Sequence, residues 1–571
     1  MDYTIKIGGE AGQGVQTIGD SLARVFARSG LHVFIHQDYE SRIRGGHNFF
    51  QIRVSDRPVA ASRERIDIVM ALDSASIANN EGSLSDRGLI LYDSSMIREK
   101  RGEPRFLDVP LIDLATRDGG NRIMVNTVAT GVALGLLNMG LEPFFEVIGE
   151  LMGKKGAGIV EQNRRAAARG HDFAKSTCKE CAFEMSPRSS PKLLIDGNSA
   201  VGIGALLSGC RFYSGYPMTP STGVLTFMAE KSERYGIVVE QAEDEIAAIN
   251  MAIGASFAGA RSMTATAGGG FALMVEGVSL AAMTETPVVI MVGQRPAPAT
   301  GLPTRTEQGD LLFVLHAGHG EFPRVVLAPG SPEQALFLTS KAFDLAEKYQ
   351  IPVFILSDQY LADSRWTYPS LDLDRCVYRD YRLRDVPPEG AATYKRYAYT
   401  ASGVSPFAVP GRSEYLVVDD SDEHDEEGHL IEDAPTRNRM VEKRLLKKLP
   451  AIRAEIAPPE LYGRRDAETI VVGWGSTLGV LKEAVDLLAG SESIALLHFS
   501  EIYPFPGTDK LDYLGVLKAA KRTICVENNA TSQFARLMRA ETGHVFSRTM
   551  NKYDGRPYLV ETVLEGLKWQ A

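Results

Sequence analysis

The chain has 571 residues, 44% of them apolar and 23% charged, which is an ordinary globular composition with enough apolar material for more than one core. At roughly 100–200 residues per domain this suggests about three domains. The formal net charge of −10 argues against general nucleic-acid binding, so any anionic substrate must be met by arginines gathered locally. Five cysteines, an odd and low count for this length, fit a reducing compartment. A strand-like segment directly after Met1 and the absence of any run of about 18 uncharged apolar residues predict a cytoplasmic chain without a membrane span.

In chain order, YTIKIGGEAGQGVQTIGDSLARVFARSG reads as strand, glycine turn and helix. Further strands are expected at His32, Ile66 and Gly88, and helical spacing from Glu142 to Lys175. Strands alternating with helices imply βαβ units and a parallel sheet, here over 1–181. Lys179 to Pro191 reads as a linker. Cys178 and Cys181 form a CxxC without the two further cysteines that a cluster needs. The pair reads as two linker thiols, with a redox or shared-metal role as the alternative. Residues 192–370 form a second alternating region, with strands expected at IVVEQ, SMTATA, PVVIMVG, RVVLAP and VFILSD. Residues 371–465 lack a period and read as a connecting segment over other domains or at an interface. A third α/β unit is expected over 466–571.

Several segments carry candidate chemistry. Gly8 to Gly14 lies between strand and helix, where glycines let the backbone approach a phosphate; a purely structural turn explains it equally. In DYESRIRGGHNFF, Arg42 and Arg44 share a face if the segment is extended, and paired guanidiniums suit a carboxylate or phosphate. The alternative is solvated arginines. In SGYPMTPST, Thr219 and Ser221 can donate to an anion, while Ser221 or Thr222 can equally cap a helix. In VVEQAEDEIAAINMAIGASFAGA, acids at the helix start suit its dipole. Glu240, Glu243, Asp244 and Glu245 are nonetheless more than one cap requires. Met291 to Asp310 is a shaped Pro/Gly loop at the C-terminal end of a strand, where ligands bind in α/β sheets, and Arg295, Thr300, Thr304 and Arg305 offer donors there. Ser421 to His429 has metal-ligand residue types in no metal spacing and reads as a solvated charge run.

The ordered set Gly197-Asn-Ser-Ala, Gly215-Tyr-Pro-Met-Thr-Pro-Ser-Thr222, Gln241-Ala-Glu-Asp-Glu-Ile-Ala, and Arg295 with Thr300-Gly-Leu-Pro-Thr-Arg305 resembles the α subunit of 2-oxoacid:ferredoxin oxidoreductases. Its YPMTP resembles that family's YPITP signature, with Met218 in the isoleucine position. GGEAGQG and IRGGH resemble the family's γ domain, here fused ahead of α, and the likeness extends to EHDEEGH and to VENN at Val526–Asn529. It implies three α/β domains with mainly parallel sheets: a γ-like Rossmann-type domain, a thiamine-diphosphate pyrimidine-binding domain and a transketolase C-terminal-like domain.

The implied chemistry is addition of a 2-oxoacid to the C2 carbanion of thiamine diphosphate and loss of carbon dioxide. Electrons then pass singly through iron–sulfur clusters to ferredoxin, and coenzyme A takes the acyl group; reductive carboxylation is the reverse. The sequence has no GDG motif with a downstream Asn and no cysteine quartet, so Mg²⁺, the diphosphate site and a [4Fe–4S] cluster are expected on a β subunit, with pairing of αβ units.

The resemblance assigns Glu245 to the pyrimidine N1′, with Glu243 as runner-up, and places Tyr216 and Pro217 at the cofactor. Thr219 and Arg295 are assigned to the substrate's 2-oxo-carboxylate end, and Thr304 to pocket size. Arg44, helped by Arg42 and His47, is assigned to a second carboxylate, which makes 2-oxoglutarate the expected substrate. Pyruvate, branched-chain or aryl 2-oxoacids are the alternatives within the family. A non-catalytic nucleotide- or CoA-binding protein is the alternative outside it.

Overall fold

Ile5 and Ile7 alternate with Thr4 and Lys6, and they form the inward row of the strand Asp2–Ala11. The following helix, Val15–Arg28, buries Val15, Ile18, Leu22, Val25 and Phe26 on one stripe against that row. Between them Gly14 stands at φ 90°, a left-handed conformation that glycine adopts without penalty. Its Cα also faces the Asn126 side chain so closely that a Cβ would lie 1.9 Å from Asn126 Nδ2.

The computed structural model describes residues 1–41, 45–117, 120–178, 183–188, 190–383, 394–412 and 415–568. It divides into two compact units. The first is Met1–Ile195 with Ser364–Leu371 and Leu559–Glu565. The second is Asp196–Asp363 with Asp372–Tyr558 and the residues from Gly566 onward.

The sheet of the first unit has the strand order Phe106–Asp108, Leu84–Tyr92, Ile66–Ala71, Asp2–Ala11, Gly45–Ser55, His32–Asp38, Arg365–Tyr368, Leu193–Asp196. It is parallel from Asp2–Ala11 outward through Ile66–Ala71. On the other side Gly45–Ser55 runs antiparallel to both Asp2–Ala11 and His32–Asp38. The sheet is mixed: parallel on one side of Asp2–Ala11 and antiparallel on the other. The segment read only as a basic motif contributes an eleven-residue strand, entered through Gly45 and Gly46 at φ 74° and 77°. Helical spacing over 142–175 resolves into two helices, Glu142–Met152 and Ala157–Thr177. The Ala/Gly stripe of the second lets it approach Val125–Leu136 closely, since a Cβ on Gly170 would lie 2.2 Å from the Val128 carbonyl oxygen. Cys178, expected as a linker thiol, is disulfide-bonded; Cys181 lies outside the described residues.

The second unit holds two sheets. One has the order Glu501–Tyr503, Val325–Leu327, Pro352–Asp358, Val288–Gln294, Ser262–Ala267, Phe212–Gly215, Val238–Gln241. It is parallel except at Glu501–Tyr503. The other has the order Glu460–Gly463, Ile494–Phe499, Thr469–Trp474, Arg522–Glu527, Arg548–Asn551, parallel except at Glu460–Gly463. A single apolar cluster, including Ile249, Phe271 and Phe354 with Trp474, Phe499 and Phe534, runs through both sheets. The regions 192–370 and 466–571 thus share one core.

The irregular segment after 371 packs into this unit through buried charge. Arg396, Lys443 and Lys448 are at most 1% exposed. Lys443 Nζ donates to Glu285 Oε1 at 2.5 Å, and Lys448 pairs with the other oxygen of the same carboxylate. A π-helical stretch, Glu442–Lys447, brings these lysines, five apart, to the same side of the helix. Within the acidic run, His424 is fully buried with its ring 3.9 Å from Tyr397, and Glu423 pairs with Arg437 and Arg444. The run is a folded part of the unit rather than a solvated loop. Among the described residues no His/Cys/Asp/Glu group is arranged to hold a metal. No helix among them is long and apolar enough to cross a membrane.

Candidate cofactor and substrate site

The second unit gathers its candidate residues at the C-terminal ends of parallel strands, where an α/β sheet leaves a crevice. After Phe212–Gly215 the chain exposes Tyr216 and Pro217 and half-buries Thr219. Ser221 precedes the helix Thr222–Tyr235 but does not cap it; its hydroxyl donates back to the Met218 carbonyl at 2.7 Å. Asn198 Nδ2 donates to the Pro220 carbonyl at 3.0 Å, so Gly197-Asn-Ser-Ala braces the YPMTP turn. Nothing local in that motif marks Asn198 for this bond, which spans 22 residues.

After Val238–Gln241 the acids separate by role. Glu240 and Glu243 are exposed. Asp244 caps the helix Glu245–Phe257, its carboxylate accepting from Ala247 N at 2.7 Å. Glu245 is 3% exposed, and its Oε1 is buried without a hydrogen-bond partner. It points at Gly270, where a Cβ would lie 2.4 Å from Glu245 Oε1 and 2.2 Å from Thr266 Oγ1. Only glycine leaves room there.

After Val288–Gln294 comes the shaped loop. Arg295 Nη1 donates to the Thr219 carbonyl at 2.8 Å, which joins the two residues expected at the substrate's 2-oxo-carboxylate end; burial lowers the guanidinium's pKa. Thr304 is buried, and Thr300 is exposed. Burial and then the neighbouring Arg556 lower Arg305 to about 10. Gln308 fixes the loop's far end: its N–H donates to the Asn528 carbonyl at 2.7 Å, and its Oε1 accepts from Asn528 N at 2.9 Å. The VENN segment therefore braces this loop. Glu527 accepts from Phe534 N, Ala535 N and Asn529 Nδ2 at 2.8–3.0 Å and orders that segment in turn.

His47 belongs to the first unit. It lies half-buried on Gly45–Ser55, with its N–H donating to Glu40 Oε1 at 3.3 Å and its Nδ1 buried without a partner. Burial is the main cause of its lowered pKa. Arg42 and Arg44 lie outside the described residues. Beside the glycine turn is a cavity of about 380 Å³, lined by Gly12, Gly14, Thr17, Asp38, Tyr39 and Asn48.

The residues of the second unit fit the aminopyrimidine half of thiamine diphosphate. A buried carboxylate oxygen without a donor is costly, and a protonated ring nitrogen held against Glu245 Oε1 would supply one.

Residues 203–443 match the family model described as pyruvate flavodoxin/ferredoxin oxidoreductase, thiamine diP-bdg, and residues 4–173 match pyruvate ferredoxin/flavodoxin oxidoreductase. The 2-oxoacid:ferredoxin oxidoreductase subunit alpha of a Sulfolobus species is 32% identical over 98% of this chain and 96% of its own length. The 2-oxoglutarate synthase subunit KorA of Methanothermobacter thermautotrophicus is 34% identical over 65% of this chain and 96% of its own. The solved 2-oxoglutarate:ferredoxin oxidoreductase from Magnetococcus marinus, with 2-oxoglutarate, coenzyme A and succinyl-CoA bound, is 32% identical; it superposes with a TM-score of 0.92 over 99% of each chain.

Fold, site and matches together define a thiamine-diphosphate-dependent oxidoreductase subunit. The chain belongs to the family of 2-oxoacid:ferredoxin oxidoreductase α subunits.

Proposed function

We propose that this chain is the α subunit of an enzyme converting 2-oxoglutarate, coenzyme A and oxidised ferredoxin to succinyl-coenzyme A, carbon dioxide and reduced ferredoxin, reversibly. The observation that carries this reading is the end-to-end likeness to the M. marinus enzyme, whose structure holds 2-oxoglutarate, coenzyme A and succinyl-CoA. When bound, thiamine diphosphate supplies the carbanion that attacks the 2-oxo carbon. Glu245 would hold a proton at the pyrimidine ring nitrogen, with burial excluding competing water. Tyr216 and Pro217 would border the cofactor. Arg295, braced on Thr219, would present its remaining donors to the substrate's carboxylate, and Thr304 would limit pocket size. The second carboxylate is assigned to Arg44, with Arg42 and His47. Mg²⁺, the diphosphate and a [4Fe–4S] cluster belong, on this reading, to a β subunit in a cytoplasmic heteromer of paired αβ units.

The relatives named for 2-oxoacids in general favour a second reading, with pyruvate, a branched-chain or an aryl 2-oxoacid as substrate. The test is anaerobic expression with and without the β subunit, followed by 2-oxoacid- and CoA-dependent reduction of a viologen dye. Activity only in the pair, with 2-oxoglutarate far ahead of pyruvate, supports the proposal. Turnover of another 2-oxoacid without 2-oxoglutarate overturns the substrate and keeps the class. Arg44→Ala sharpens the choice: selective loss of 2-oxoglutarate turnover supports the basic pocket, and equal loss for all substrates contradicts it.

A further inference from the structure

Asp310 closes the loop that begins at Arg295, and no motif singled it out for a role. It stands at the N-cap of the short helix Leu311–His316, where an aspartate ordinarily accepts from an N–H two or three residues on; here it makes no such bond. Its side chain is 8% exposed, and Oδ2 is buried without a hydrogen-bond partner. It lies over the start of the helix Gly268–Met283, where a Cβ on Gly268 would sit 2.4 Å from Oδ2 and 2.6 Å from Oδ1. Its backbone N–H donates to Gln294 Oε1 at 3.0 Å, and Gln294 is held in turn by the Ser357 carbonyl at 3.1 Å. Asp310 is thereby clamped to the strand end that launches Arg295, and its charge acts on that guanidinium. Among the described residues, Nη1 is the one Arg295 donor with a hydrogen-bond partner.

We infer that Asp310 is a positioning residue for Arg295: turned away from its own helix, its carboxylate is the fixed counter-charge that holds the guanidinium on Thr219 and leaves Nε and Nη2 for the substrate's carboxylate. This rests on the proposed 2-oxoacid site. The charged groups that act on Asp310 are Arg295 and Glu307. Burial raises the Asp310 carboxyl to about 6 against the opposing pull of Arg295. A carboxylate that merely complements the helix dipole would contribute to stability and leave substrate affinity alone.

The test is Asp310→Asn in the complete complex, which keeps the shape and removes the charge. The expected result is a KM for the 2-oxoacid raised about tenfold, with kcat changed less than about threefold and thiamine diphosphate affinity, read by cofactor titration, unchanged. Combined with Arg295→Lys, its effect on KM should be clearly less than additive. In the wild type, KM should rise as pH falls through about 6, and this rise should vanish in Asp310→Asn. An unchanged KM, or full additivity with Arg295→Lys, overturns the inference. Should the variant not fold, a wild-type KM that is flat across about pH 5 to 8 overturns it equally. Failure of the wild-type complex to turn over any 2-oxoacid would instead remove the functional reading beneath it.

Discussion

Two buried glutamates of the second unit, Glu245 and Glu285, meet opposite fates. Glu285 is 1% exposed and closed in by protein. Lys443 and Lys448 approach its two oxygens, and Arg396 donates to its backbone carbonyl at 2.8 Å. These cations offset burial and hold the carboxyl well below its ordinary range. Glu245 is 3% exposed, yet one of its oxygens has no partner and faces a glycine. A carboxylate that the fold has closed with cations stabilises the fold; on the proposed function, the buried oxygen of Glu245 that has no partner takes its donor from the cofactor. The partners of Glu285 come from 158 and 163 residues further along the chain, so the first case ties the connecting segment to the core and the second does not.

Replacing each acid should separate the two roles. Glu245→Gln in the complete complex should lower turnover by about 10²–10⁴-fold without lowering the melting temperature, and near-normal turnover would contradict its assignment. Glu285→Gln should leave turnover per folded molecule near wild type but cost about 3–5 kcal/mol of stability, because two ammonium groups lose their counter-charge; urea denaturation reads this. Glu285 also predicts a pH effect. Its folded pKa lies below its ordinary value of 4.5, so its contribution is complete above that value and is lost as pH falls below it. Glu285→Gln should abolish this acid-side component. Arg295→Lys, which cannot reproduce a planar fork, should raise the KM for the 2-oxoacid about tenfold with little change in stability. The smallest effect is expected from Asn198→Ala. Losing its bond to Pro220 should cost about 1 kcal/mol and shift KM only a few-fold.

Much of this was legible in the sequence because it is local. Strand, glycine turn and helix at the start of the chain follow from alternation and spacing, and the ordered motifs around Tyr216, Glu245 and Arg295 mark the strand ends that form the crevice. Helix phase also separates the acids. Glu245 shares a face with Ala248, Ile249 and Ala252, all buried, whereas Glu243 lies before the cap. What escaped is long-range. The antiparallel strand Gly45–Ser55 depends on pairing across the sheet, which a short basic motif conceals. The lysines around Glu285 sit in a segment without period, and nothing local marks them as buried. Asp310 resembles an ordinary helix cap, and only its geometry shows that it does not act as one.

The claim that Glu245 is left open for the cofactor is tested most directly by deuterium exchange of the thiazolium C2 proton in the complex, quenched with acid and read by NMR. The account predicts rapid exchange in the wild type and exchange slowed by about 10²–10⁴-fold in Glu245→Gln. Equal rates in the two would show that this carboxylate does not act on the cofactor.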